Sequence, residues 1–295
     1  MLCYIVLNYN DYKTTISYIN KIKDYSSIDK IIVVDNCSTD NSYSMLKNSE
    51  NDKIDVIKAS RNGGYGSGNN YGVKYAKDKY NPEYVVISNP DVIIGSETVA
   101  NCIRFLDDNP NVTVAVPLML DKERNKVLRC VWRIPSYSQY LMFSLLFVGK
   151  IIKGFFYKDE DFEKGTPFAC DCVAGSWLLI RTDDFIDVGM YDENIFLFCE
   201  ETVLGIRLRE HGYISYILPN ETFVHNHSVS ISKSFKSAYK IEAQMWKSRV
   251  YVLDMYYSKS GFTKLINRII SQIALLEYRL IVGARYVRSR LIMMK

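Results

Sequence analysis

The stretch Val85-Val86-Ile87-Ser88-Asn89-Pro90-Asp91-Val92 is apolar and β-branched until it stops on a carboxylate. A charge-free run of this kind reads as a strand covered on both faces. It has company. Cys3 to Leu7, Ile31 to Val34, Ile54 to Ile57 and Val112 to Val116 are further short apolar strands, separated by helix-patterned segments. One such segment carries Ile16, Ile19 and Ile22 on one face, and another carries Val99, Ile103 and Leu106 behind Ser96 as an expected N-cap. Strands alternating with helices imply βαβ units and a largely parallel α/β sheet. Ligands of such sheets gather at the carboxyl ends of the strands, where Asp91 stands.

With 295 residues the chain can bury a large core, and 48% hydrophobic with 24% charged residues is a globular composition. A net charge of +4 is too small to argue for nucleic-acid binding. Seven cysteines without a repeating spacing argue against a disulfide framework and for a reducing compartment. Cys170-Asp171-Cys172 does not match common zinc spacings. The apolar run Leu2 to Leu7 is too short for a secretory leader, and no segment reaches the ~18 to 20 apolar residues of a membrane span. These features lead us to expect a cytoplasmic protein.

Periodicity fades from about 121 to 165, an expected aromatic-rich insertion, and returns with Val173 to Ile180 and with a helix from Glu201 to His211 stopped by Gly212. The last segment reads as one long helix. Leu265, Ile266, Ile269, Ile270, Ile273, Leu276, Leu280, Ala284, Val287 and Leu291 recur at helical spacing with arginines around them. Such a helix packs on the body with a solvated basic face, or lies on anionic lipid.

Five places carry candidate chemistry. Asp35 ends the second strand, ahead of Asn36, Ser38, Thr39 and Asp40, and can accept a hydrogen bond from a pyrimidine N–H or simply close a strand-to-helix turn. The loop Arg61-Asn62-Gly63-Gly64-Tyr65-Gly66-Ser67-Gly68-Asn69-Asn70 lets backbone approach an anion. It lacks the third glycine of the dinucleotide fingerprint and the Lys-Ser/Thr of a P-loop, which disfavours a nicotinamide-dependent oxidoreductase. Asn89-Pro90-Asp91 places a hard oxygen ligand on a rigid turn, suited to Mg²⁺ or Mn²⁺. Glu200 and Glu201 either complement a helix dipole or form the paired carboxylates that raise a general base toward neutral pH. His225-Asn226-His227 offers two imidazoles to a metal or phosphate.

In this order the motifs resemble the inverting family-2 glycosyltransferases of the GT-A fold, over roughly residues 1 to 230. The pieces are Asn8-Tyr9-Asn10, Val34-Asp35-Asn36 with Ser38-Thr39-Asp40, the Asn62 to Asn70 loop, Asn89-Pro90-Asp91, Ala174-Gly175-Ser176-Trp177-Leu178-Leu179-Ile180-Arg181, and Asp192-Glu193 onward to Arg207-Leu208. The chain looks most like bacterial rhamnosyl- and galactofuranosyltransferases of surface polysaccharides. The resemblance implies a GT-A catalytic domain over 1–230, Rossmann-like with a mostly parallel mixed sheet, and a basic helical extension over 231–295. It implies a UDP- or dTDP-sugar donor bound by Asn8, Asp35, Arg61, Asn62, Asn69, Asn89 and Asp91. Asp91 would hold the divalent metal, with His225 or His227 as a further ligand. Gly175, Ser176 and Trp177 would line the acceptor side, and Glu201, the second member of the Glu200-Glu201 pair, would be the base. The expected acceptor is a saccharide, most naturally lipid-linked, met at the inner face of the plasma membrane; a homodimer through the last helix is the competing use of that helix. Two departures stand out: Glu200-Glu201-Thr202-Val203-Leu204 replaces the usual Glu-Asp-x-Asp-Leu, and Asn89 stands where many relatives have Asp. A nucleotidyltransferase and a non-catalytic sugar-nucleotide-binding subunit are the alternatives.

Overall fold

The computed structural model describes residues 1–143, 145, 148, 154–226, 237–258 and 260–293, with side chains to residue 281. The elements follow the expected alternation: β1 Leu2–Asn8, α1 Tyr12–Ile22, β2 Lys30–Asp35, α2 Ser42–Lys47, β3 Ile54–Lys58, α3 Tyr65–Tyr80 and β4 Tyr84–Ser88. Then come β5 Val92–Ile94, α4 Ser96–Asp108, β6 Val112–Leu120, β7 Val131–Trp132, α5 Tyr137–Met142 and α6 Asp159–Glu163. The body closes with β8 Phe168–Cys170, β9 Cys172–Val173, β10 Trp177–Arg181, α7 Thr182–Asp187, α8 Glu200–Glu210 and β11 Ile214–His225. Two helices end the chain, α9 Ala238–Val252 and α10 Gly261–Met293.

Two compact units emerge. The first holds Met1–Ile134, Phe156–Phe196 and the segment from Glu200. The second holds Pro135–Phe155, Leu197–Cys199 and the segment from Ser234. The aromatic stretch expected as one insertion of the catalytic body thus divides, and its middle belongs with the C-terminal helices.

In the first unit a nine-stranded sheet has the order β3-β2-β1-β4-β10-β6-β11-β5, with β8 added to β11. Neighbours β3, β2, β1 and β4 are parallel, as their apolar composition requires: Ile31 to Val34 and Val85 to Ile87 have no exposed surface. β10 runs antiparallel to both β4 and β6. This reversal puts the start of β10 on the same edge as the ends of β1, β2 and β4, with Trp177 opposite Ser88. β5 pairs antiparallel with the end of β11, setting His225 opposite Val92.

The local signals hold in most elements, and the structure departs from them at two. Ser96 is the first helical residue of α4 and Gly95 its cap. The regular pattern expected over Val173 to Ile180 is broken at Ala174–Ser176 into β9 and β10. β11 runs past Leu218 to His225 through an irregularity between Leu218 and Thr222, and this extension is what carries the histidine to the sheet edge.

Candidate active site

Three parallel strands deliver polar residues to one edge. Asn8 ends β1 and Asp35 ends β2, paired in register. Both are fully buried. Asn8 Nδ2 donates to Asp35 Oδ1 at 3.0 Å, and the Ser38 N–H donates to Asp35 Oδ2 at 3.1 Å. Each Asp35 oxygen keeps a further lone pair for a base N–H, but the residue has no exposed surface, so that contact requires the residues covering it to move.

The glycine loop is held from beneath. Asn36 Nδ2 donates to Asn62 Oδ1 and to the Gly64 carbonyl, both at 3.0 Å, and Asn62 Oδ1 also accepts from the Gly64 N–H at 3.1 Å. Gly64 adopts φ 94° and ψ −173°, a conformation open essentially to glycine alone. A Cβ there would stand 2.0 Å from the Phe196 carbonyl oxygen. Arg61 is exposed above this loop. Asn69, expected near the nucleotide, has no exposed surface; its Nδ2 donates to the Tyr65 carbonyl within α3, and its Oδ1 has no hydrogen-bond partner.

β4 leads to Asn89, which is partly exposed and whose N–H donates to the Ser176 carbonyl at 2.8 Å. Asp91 follows, 8% exposed, with Oδ1 3.2 Å from Nε2 of His225 and off the line of a hydrogen bond. The Asn226 N–H donates to the Asp91 carbonyl at 3.1 Å, so the β5–β11 pairing locks the two residues together. Two donors around an octahedral ion at ~2.1 Å stand about 3 Å apart, so Asp91 and His225 fit two neighbouring positions on one Mg²⁺ or Mn²⁺. Among the described residues no group of three or more His, Cys, Asp or Glu could hold a metal. His227 lies outside the described residues.

Next to Ser176, the Gly175 N–H donates to Glu201 Oε1 at 3.4 Å. The Gly175 carbonyl accepts from the Tyr65 hydroxyl, so one peptide segment ties the glycine loop to the acidic pair. Glu200 is 2% exposed with Oε1 lacking a hydrogen-bond partner, whereas Glu201 is partly exposed. Burial, then the charge of Glu201, pushes the Glu200 carboxyl well above its ordinary range. Burial also raises Glu201, against the opposing pull of backbone N–H groups including that of Gly175. The start of α8 favours negative charge, yet for both groups desolvation is the larger effect. Phe198 and Cys199 precede the pair at φ 70° and 75°, left-handed conformations that non-glycine residues adopt at a cost of ~1–2 kcal/mol each.

Trp177 does not line an acceptor pocket. Its side chain has no exposed surface, its indole N–H donates to the Tyr4 hydroxyl, and its ring packs 6.4 Å from that of Phe223. Position 177 is the first residue of β10 and faces the core; only its neighbours Gly175 and Ser176 border the edge. Ser176 is itself 5% exposed, with its hydroxyl lacking a hydrogen-bond partner. Sequence reasoning passed over Tyr65. An aromatic residue between two glycines was the available signal. Its hydroxyl is pushed well above its usual range by burial and then by the charges of Glu201 and Glu200.

The profile described as "Glycosyl transferase family 2" matches residues 3–175, more than half of the chain. The chain belongs to this family. Among its family relatives, the rhamnosyltransferase WbbL of Escherichia coli (strain K12) is 28% identical over 167 residues, 55% of this chain and 60% of that protein. The low-salt glycan biosynthesis hexosyltransferase Agl10 of Haloferax volcanii is 25% identical over 259 residues, 88% of this chain and 77% of that protein. In fold, this family 2 chain is similar to GalNAc-T7, solved with UDP, GalNAc and Mn²⁺, at a TM-score of 0.65 and 13% identity, covering 88% of this chain but 48% of that one. The mannosyltransferase PcManGT of Pyrobaculum calidifontis, solved with GDP-Man and Mn²⁺, gives 0.57 at 14% identity over 100% and 80%. The central mixed sheet flanked by helices is thus of the GT-A type.

Proposed function

We propose that this family 2 glycosyltransferase moves a hexose, with rhamnose and galactofuranose the leading choices, from a UDP- or dTDP-sugar to a hydroxyl of a saccharide acceptor, with inversion. The observation that carries the reading is Glu201. It is partly exposed and its carboxyl is raised by burial; it is held by the Gly175 N–H, next to Ser176, whose carbonyl accepts from the Asn89 N–H two residues before Asp91. A carboxylate raised toward neutrality is a stronger base for an acceptor hydroxyl. Related proteins named as rhamnosyl- and hexosyltransferases support the sugar class.

In this reading Asn8 and Asp35 shape the floor beneath the donor base. The loop from Arg61 to Gly64 would lie near the diphosphate, and Asp91 with His225 would hold a divalent ion. The ion, when bound, offsets the charge that builds on the departing diphosphate. Glu201 takes the proton as the hydroxyl attacks the anomeric carbon from the face opposite the leaving group. Glu200, buried with its carboxyl raised by desolvation and by the charge of Glu201, favours the uncharged form beside the base. Gly175 and Ser176 border the acceptor. The acceptor is proposed to be lipid-linked and the protein to act in the cytoplasm.

Glu201→Gln should lower transfer by ~10²- to 10⁴-fold while nucleotide-sugar binding, read by calorimetry with Mn²⁺ present, stays within twofold. Transfer at near wild-type rate would remove Glu201 from the role of base. Absence of transfer by the wild-type chain with every UDP- and dTDP-sugar it binds would favour a non-catalytic binding subunit.

A further inference from the structure

The second unit carries a surface that no step of sugar transfer uses. α10 is fixed on one side within its own unit: Ala274 packs in a cluster with Trp246 of α9 and Leu145. Asn267, fully buried, donates to Asp254 at 2.7 Å and to Ser258 at 3.0 Å and accepts from the Tyr137 hydroxyl at 2.8 Å. On another side of the same helix, Phe262, Leu265, Ile269, Ile273, Leu276 and Leu280 are 72, 53, 50, 44, 56 and 65% exposed. At ~100° per residue these six fall within an arc of about 80°. One flank of the arc bears the exposed Arg268 and Arg279, the latter donating to the Tyr239 hydroxyl and lying over its ring. Scattered exposed apolar residues are ordinary, but a contiguous stripe of large ones marks an interaction surface.

We propose that this stripe of α10 lies in the headgroup region of an anionic lipid bilayer, parallel to its plane. Three observations select lipid over a second copy of the chain. The stripe recurs at intervals of 3, 4, 4, 3 and 4 residues, which follows a straight helix. A paired coiled-coil helix would need the 3.5-residue period. Written as a heptad from Phe262, the second apolar seam runs Leu265, Gln272, Arg279, so a partner helix would bury an amide and a guanidinium. From residue 259 to 295 the chain holds eight Lys or Arg and a single acidic residue, Glu277. That charge suits anionic headgroups and opposes a copy of itself. Among the described residues no helix is long and apolar enough to cross a membrane, so the helix lies on the surface rather than through it. This inference stands apart from the sugar chemistry, and its readout needs no donor or acceptor.

The test is flotation and fluorescence titration of the full chain with vesicles of phosphatidylcholine alone and with ~30% phosphatidylglycerol. Binding should be at least tenfold stronger with the anionic lipid and should weaken as salt rises. Ile269→Glu with Leu276→Glu should reduce it at least tenfold with an unchanged melting profile, and Arg268→Glu should reduce it severalfold without touching the apolar stripe. Equal binding of wild type and the double variant would overturn the proposal. So would a lack of vesicle binding together with a dimer, in sedimentation at micromolar concentration, that the double variant dissolves.

Discussion

Replacing Trp177 by Phe separates a core residue from an acceptor ligand. The indole N–H donates to the Tyr4 hydroxyl, which itself pairs with the Tyr18 hydroxyl at 2.9 Å; Tyr18 in turn meets Ser88 Oγ at 2.7 Å. Phe removes the donor at one end of this buried chain but leaves the Tyr4 hydroxyl a partner in Tyr18. The lost bond is worth ~1 kcal/mol. The missing ring atoms, in a site with no exposed surface beside Phe223, cost about 1–2 kcal/mol more through lost transfer and residual cavity. A total of ~2–3 kcal/mol corresponds to a fall of about 4–12 °C in melting temperature for a body of roughly 150–250 residues. The assay is a paired measurement on Trp177→Phe: thermal unfolding followed by circular dichroism, and KM for the acceptor at a temperature where both proteins are folded. A lowered melting temperature with an acceptor KM within twofold of wild type is expected. An unchanged melting temperature with a tenfold higher acceptor KM would refute the placement of the indole in the core.

Glu200→Gln tests the buried partner of the base. A carboxyl raised on folding is protonated in the native chain and ionised when unfolded, so wild-type stability falls as pH rises above the ordinary value of 4.5 toward the raised one. The variant should therefore gain on wild type in urea unfolding at pH 8 relative to pH 4, and should keep transfer within tenfold; loss of activity beyond a hundredfold in a folded variant would assign Glu200 the working charge. For the base itself, activity should rise with pH through a midpoint above 4.5, because burial raises Glu201 and only its ionised form takes a proton. A wild-type profile flat from pH 4 to 8 would contradict this. Gly64→Ala forces a side chain into a glycine-only conformation and against the Phe196 carbonyl. A loss of ~2–4 kcal/mol and of nucleotide-sugar affinity is expected, and a variant as stable as wild type would show that the loop rearranges freely.

The parallel half of the sheet was legible because its strands are covered on both faces and their β-branched runs need no partner to be recognised. The reversed β10 was not legible. Its direction depends on pairing with β4 and β6, which lie far from it in sequence. The same gap explains the misplaced Trp177: its place in the motif is local, whereas the face it presents is set by register against Ser88. Asp91 and the glycine loop were visible as turn chemistry at strand ends. That His225 meets Asp91 follows from the β5–β11 pairing, which no local pattern announces. The helical period of α10 was read from sequence, but which of its sides packs on α9 had to come from the structure.

The glycine loop has a mechanical consequence. The Tyr65 N–H donates to the Phe196 carbonyl at 2.9 Å, Asn70 Nδ2 donates to the Tyr191 carbonyl at 2.9 Å, and the Tyr191 N–H returns a bond to Asn70 Oδ1 at 3.1 Å. The first turns of α3 are thereby stitched to the segment 191–196, and through the Gly175 peptide Tyr65 also reaches the residue that holds Glu201. Loop and acidic pair are thereby joined by a continuous run of hydrogen bonds, so the alignment of the loop and that of the carboxylate share the same supports.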